Sequence, residues 1–151
     1  MRNYVSLLQD LLDSPQNILI GQTLRFDLSQ NDFPILTLRP IVIDGAEITS
    51  SYIWADRKDK RLNFVGFIHL TDAYDDLPFE IAKCARIVFQ MAKMNKMIAG
   101  ELIIMIGKVA LEDKNVELAK QMLRRWPKKS PKILFGEDGL SYELVGYNPH
   151  E

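Results

Sequence analysis

The chain has 151 residues and a mass of 17.4 kDa, enough to bury one core and short for two. Apolar residues make up 47% and charged residues 26%, which excludes a disordered or fibrous chain, and a formal net charge of −1 selects no class of partner by itself. No apolar run reaches the roughly 18 residues of a membrane helix, the first residues read as carrying no secretory leader, and a single cysteine, Cys84, excludes an internal disulfide or a cysteine-built metal site.

Residues 2–13 place Val5, Leu8 and Leu12, with Leu7 and Leu11 beside them, at helical spacing, and Ser14-Pro15 ends that helix. From about residue 17 to 70 the pattern is that of strands. The first covers 17–26, with Gly21 as a bulge or close contact. A polar turn at 29–32 leads through Pro34 into a strand at 35–38, which Pro40 puts at an edge or bends. Asp44-Gly45 predicts a hairpin turn between 41–43 and 46–54. In the latter, Ile48, Tyr52 and Trp54 share one face. A charged connection, Arg57 to Arg61, precedes a strand with Leu62, Phe64, Ile68 and Leu70 on one face and Val65 and Phe67 on the other. Apolar on both sides, that strand needs cover on both, from its own helices or from a helix and another chain.

Asp76 is placed to cap a helix over 77–95 opened by Leu77-Pro78, with Cys84, Ile87, Val88 and Met91 as its apolar stripe. For 97–112 periodicity does not decide between strand and helix, and the bracketing Gly100 and Gly107 favour a strand. A helix over 115–126, stopped by Pro127, sets Val116, Ala119 and Leu123 against Lys120 and Arg124. A closing hairpin joins 133–135 to 140–147 across Glu137-Asp138-Gly139. These elements predict one α+β domain spanning 1–151, a mostly antiparallel sheet with hairpins packed against two or three helices.

Charge is unevenly laid out. Residues 1–82 hold seven Lys/Arg and twelve Asp/Glu, 83–132 hold twelve and four, and 133–151 hold four acids and no base. A basic block between acidic ones points to a nucleic-acid face, to surfaces that meet in an oligomer, or to an ordinary solvated face. Within it, Arg124, Arg125, Trp126, Lys128, Lys129 and Lys132 suit phosphate contact with stacking on the indole, and equally a helix C-terminus with Trp126 folded inward. His69 followed by Asp72, Asp75 and Asp76 could form a small hydrolytic or metal site, or serve only as a strand end and a helix cap. Cys84, on an apolar stripe, reads as buried filler before nucleophile. No phosphate loop, Gly-X-Ser-X-Gly, His-Glu-X-X-His or paired-cysteine motif is present, and no cofactor is expected.

The helix, the strand, Asn31-Asp-Phe-Pro34 leading into 35–39, the hairpin through Asp44-Gly-Ala-Glu47 and the strand pair ending at 64–70 give an order of elements that resembles the tail-terminator (tail-completion) proteins of long-tailed bacteriophages. The resemblance covers 3–95 and 133–147. It implies a non-enzymatic virion assembly protein, a homo-oligomeric ring, commonly of six subunits, between tail tube and head connector, assembled in the host cytoplasm. On that reading the interface candidates are Arg57, Lys58, Lys60 and Arg61 at the hairpin tip, Val65 and Phe67 on the apolar strand, and Arg124, Arg125, Trp126, Lys128 and Lys129 in the basic block. The competing readings are a nucleic-acid-binding protein using 83–132 and a small hydrolase around His69, either of them cytoplasmic.

Overall fold

Asn3 opens the first helix, α1 (Tyr4–Asp13), its side-chain oxygen accepting the Ser6 N–H at 2.9 Å. This is a computed structural model, and the residues it describes are 3–30, 50–125, 132–135 and 142–145. Tyr4, Leu7, Leu8 and Leu11 recur at helical spacing and are fully buried. The Tyr4 hydroxyl keeps a partner inside the core by donating to the Ala73 carbonyl at 2.6 Å.

Four strands form one sheet: β1 (Ile18–Asp27), β2 (Ser50–Asp56), β3 (Arg61–Asp72) and β4 (Ile98–Ala110), in the order β1-β4-β3-β2. β1 and β2 run antiparallel to their neighbours, whereas β3 and β4 are parallel. A parallel pair cannot close through a tight turn. Its crossover is α2 (Leu77–Met94), the helix expected over 77–95. α3 (Asp113–Arg124) follows β4, and β5 (Lys132–Phe135) pairs antiparallel with β6 (Tyr142–Val145) as the expected closing hairpin. The α+β expectation holds, with three α-helices and a mixed four-stranded sheet among the described residues. The run 97–112 is a strand, and its apolar character follows from lying between two others. The expected strand at 35–38, the Asp44-Gly45 turn and the strand at 41–43 fall outside the described residues.

The helices share one core with one face of the sheet. Ile81, Cys84, Ala85, Val88 and Ala92 of α2 meet Leu62, Phe64, Ile68, Leu102, Ile104 and Ile106, with Ala119 and Met122 of α3 in the same cluster. No described helix packs on the opposite face. There Phe67 and Met105 are 38% and 42% exposed, and the Tyr52 and Trp54 rings stack at 5.9 Å.

Leu70 departs from the expected alternation: it is 59% exposed and not inward with Leu62, Phe64 and Ile68. The reason lies in three strands at once. Along β3 the inward positions run Leu62, Phe64, Gly66, Ile68 and then Thr71. Along β4 they run Leu102, Ile104, Ile106 and then Val109. Along β1, Phe26, Leu24 and Gln22 are followed by Leu19. Each strand takes one step of three in place of two. The steps are aligned, since Ile106 pairs with both Ile68 and Gln22, and Val109 with both Thr71 and Leu19. Register therefore survives while the faces exchange, a break stacked across the sheet. Two glycines make it sterically accessible. Gly21 has φ +64°, and a Cβ on Gly107 would lie 2.7 Å from the His69 carbonyl oxygen.

Asp76 precedes α2, and a proline occupies the first turn, but its carboxylate makes no cap bond. It accepts the Asp72 N–H at 3.4 Å.

Candidate functional site

The stacked break opens a cleft of about 370 Å³ on the uncovered face. Phe67, Ile68, Met105 and Ile106 give it apolar walls. Gln22, Thr23 and His69 add polar groups, and Gly21 and Gly107 keep the floor free of side chains. An apolar cleft with a few convergent polar groups is what a small organic ligand needs.

A second constellation holds the far end of the sheet. Asp72 is buried, and its carboxylate accepts from the N–H groups of Asp75 at 2.7 Å, Tyr74 at 2.9 Å and Glu112 at 3.0 Å. The Asn115 side-chain amide donates to it at 3.3 Å and to Asp75 at 3.0 Å. Asp72 thus ties the end of β3, the approach to α2 and the start of α3. The supposed hydrolytic group does not assemble: His69 opens onto the uncovered face, and Asp72 and Asp75 serve this strap. No cluster of three or more His, Cys, Asp or Glu able to hold a metal occurs among the described residues.

Cys84 is buried against the sheet. Desolvation, aided by the nearby Glu80 charge, pushes its thiol up to about 12, well above the ordinary thiol value. Only the thiolate reacts, so at pH 8 roughly a thousandfold less of it exists than in the unfolded chain. Alkylation of the folded protein is expected to be slower by about that factor and to match the unfolded rate in denaturant. Fast labelling without denaturant would show the thiol to be exposed.

The interface candidates scatter. Arg57, Lys58 and Lys60 sit in a tight turn where the Asp56 carboxylate accepts the N–H of Lys58 at 3.0 Å, and Lys60 has φ +54°. Arg61 leaves that tip to pair with Asp27 at 3.1 Å. Burial alone would raise Asp27, but the Ser29 hydroxyl and N–H and the Arg61 guanidinium outweigh it and hold the carboxyl below its ordinary value. Arg124 donates back to the Lys120 carbonyl in the last turn of α3, and Arg125 follows the helix. Trp126, Lys128 and Lys129 lie outside the described residues. Val65 and Phe67 share the uncovered face. The basic block also disperses, because Lys114 pairs with Asp75 and Glu112, and Lys120 with Glu117. The Asp75 hydrogen bond is the largest influence raising Lys114.

The cleft went unread in the sequence. Its available signal was a pair of glycines, Gly21 and Gly107, inside strand patterns, which mark irregular backbone without showing that the two lie side by side.

No family model matches the chain. Related sequences are named thymidylate synthase. That of Agaricus bisporus is 30% identical over 105 residues, 64% of this chain and 36% of that protein. The bifunctional dihydrofolate reductase-thymidylate synthase of Paramecium tetraurelia is 32% identical over 123 residues, 77% of this chain and 26% of that protein. The chain spans little more than a third of the length of the thymidylate synthases it matches. The crystal structure of thymidylate synthase from T4 phage superposes with a TM-score of 0.71 and 18% identity, covering 98% of this chain and 96% of that one, and shares the fold. These findings correct the tail-terminator expectation, and with it the virion, the ring between tail tube and head connector, and the non-enzymatic role. They equally displace the nucleic-acid-binding and hydrolase alternatives. The motifs behind the resemblance, Asn31–Pro34 and Asp44–Glu47, are short turn signals that specify local geometry and recur in unlike α+β folds. The likeness to thymidylate synthases is instead spread over 99 to 123 residues in four relatives, and it is to enzymes that the chain is related.

Proposed function

We propose that this chain acts in thymidylate formation, as a thymidylate-synthase-type unit that holds a pyrimidine nucleotide in the cleft at the stacked break. The observation that carries the reading is the sequence relation to thymidylate synthases along most of the chain, joined by the shared fold. The cleft's chemistry supports it. A pyrimidine ring presents flat faces that suit Phe67 and Met105, and edge groups that Thr23 can meet with hydrogen bonds. The location that goes with this role is the cytoplasm.

The reading includes self-association. The uncovered face carries Phe67, Met105, Tyr52, Leu70 and Ile20 exposed together, more apolar surface than a lone subunit ordinarily leaves wet. On it Arg25 and Glu101 pair at 3.7 Å. A face of this kind suits a second copy of this chain across a twofold axis, packed so that the mouth of the cleft beside Phe67 stays open.

The test is calorimetric titration of the full chain with thymidylate. Saturable binding is expected, with Phe67→Ala weakening it by about tenfold, the scale of one lost aromatic stack. Absence of binding at millimolar thymidylate would overturn the functional reading. Binding indifferent to Phe67→Ala would move the nucleotide out of this cleft.

A further inference from the structure

Ile98 opens β4 against Arg61, the first residue of β3, and its N–H donates to the Lys60 carbonyl at 2.7 Å. That bond sets the β2–β3 turn beside the α2–β4 turn at one end of the sheet, two segments far apart in sequence. The first brings Arg57, Lys58 and Lys60, the second Lys93 and Lys96, and every one of them is exposed. None has a carboxylate partner among the described residues, whereas Arg25, Arg61, Lys114 and Lys120 each have one. The acids of these turns are Asp56 and Asp59, and Asp56 is turned onto the N–H groups of Lys58 at 3.0 Å and Asp59 at 3.3 Å. We infer that this end of the sheet is a docking site for an acidic peptide segment of a partner protein, one with apolar side chains among its carboxylates.

Both turns are held in place before any partner arrives. Asp56 fixes the first. In the second, the Met97 N–H donates to the Ala92 carbonyl at 2.8 Å, and the Asn95 side-chain amide to the Met91 carbonyl at 2.7 Å. Lys60 and Lys96 both have φ +54°, a left-handed conformation that favours glycine or asparagine, yet both positions carry a cation. Like charges gathered without counter-charges repel one another, and an anionic partner removes that repulsion as it binds. Met94 and Ile98, 81% and 55% exposed, flank Lys96 in the chain and offer contact to apolar groups of the partner. Neither turn has an aromatic ring for a base to stack on, and Asp56 and Asp59 interrupt the track of a phosphate backbone. A peptide therefore fits this end better than a nucleic acid does. The cleft lies further along β4, at Gly107, about 30 Å away at the ordinary strand rise, so the docking site does not rest on the nucleotide reading.

Fluorescence anisotropy on the full chain tests this, with a labelled peptide of about ten residues, mostly Glu interspersed with Leu. Saturable binding is expected at about 50 mM salt, weakening about tenfold by about 300 mM as the charges are screened. Lys60→Asn combined with Lys96→Asn removes two cations and suits the left-handed backbone. It should weaken binding about tenfold, the scale of two exposed ion contacts. Lys58→Ser combined with Lys93→Ser leaves the left-handed positions alone and should weaken binding in the same direction. Lys114→Ala combined with Lys120→Ala removes equal charge from cations that already have partners, and should leave binding unchanged. Met94→Ser should weaken the Glu/Leu peptide and leave an all-Glu peptide unaffected. No binding at millimolar peptide in about 50 mM salt would overturn the site. So would an equal loss in all three double variants, which would reduce the effect to overall charge. An oligodeoxyadenylate of the same charge that binds more tightly than the peptide would overturn the peptide as occupant.

Discussion

Asp72→Ala is expected to lower the unfolding free energy by about 3–5 kcal/mol, the scale for leaving several buried donors unmet at about 1–3 kcal/mol each. Three backbone N–H groups and the Asn115 amide converge on this one carboxylate. Alanine strands the three backbone donors in a region that gives them little water, while the Asn115 amide keeps its bond to Asp75. The loss exceeds that of an ordinary hydrogen bond because unmet buried donors carry their full desolvation cost. Asp72→Asn separates geometry from charge. One amide oxygen can still receive Tyr74 and Asp75, but the –NH₂ then faces the Glu112 N–H, donor against donor. About half the alanine loss is expected. Urea unfolding, followed by tryptophan fluorescence and circular dichroism, measures both. A loss below about 1 kcal/mol for Asp72→Ala would show that water replaces the carboxylate and that the strap holds nothing.

The strap also marks a limit on what sequence alone reveals. Asp72, Asp75 and Asp76 follow His69 so closely that a shared site was a natural reading. In the fold the chain passes through the stacked break between His69 and Asp72. His69 consequently opens onto the uncovered face, while Asp72 meets Asn115, 43 residues further on. No local pattern encodes that pairing. By contrast, the stripe of Cys84 and Val88 was legible, because helical periodicity is a property of the segment itself. Leu62, Phe64 and Ile68 were legible for the same reason. Leu70 was not, since its orientation depends on a step of three that the neighbouring strands take at the same level. Within the basic block, Lys114 and Lys120 are met by acids from the approach to α2 and from α3 itself, partners that adjacency in sequence does not show. The tail-terminator likeness failed on similar grounds. Turn motifs fix a few dihedral angles, whereas the β3–α2–β4 crossover, which sets the topology, has no short motif.

Gly107→Ala is expected to cost about 1–3 kcal/mol, the range for overpacking a closed interior. The added Cβ would lie 2.7 Å from the His69 carbonyl oxygen, with the carbonyl carbon at 3.6 Å and Cα at 3.7 Å. Those atoms are backbone of a paired central strand and cannot rotate aside as a side chain could. Relief requires β3 and β4 to separate at the break, which is also where the cleft is formed. Weaker thymidylate binding should therefore accompany the loss of stability. Gly21→Ala is the informative contrast, because it sits on the same level of the sheet but has no atom within 4 Å of its added Cβ. Its cost is confined to holding alanine at φ +64°, on the order of 1–2 kcal/mol, and it should leave the cleft open. Denaturant unfolding and thymidylate titration of the two variants then distinguish two origins of the break. If Gly107→Ala alone closes the cleft, close approach of β3 to β4 holds the break in place. If Gly21→Ala destabilises as much and abolishes binding as well, the left-handed residue on β1 sets it, and the other strands follow.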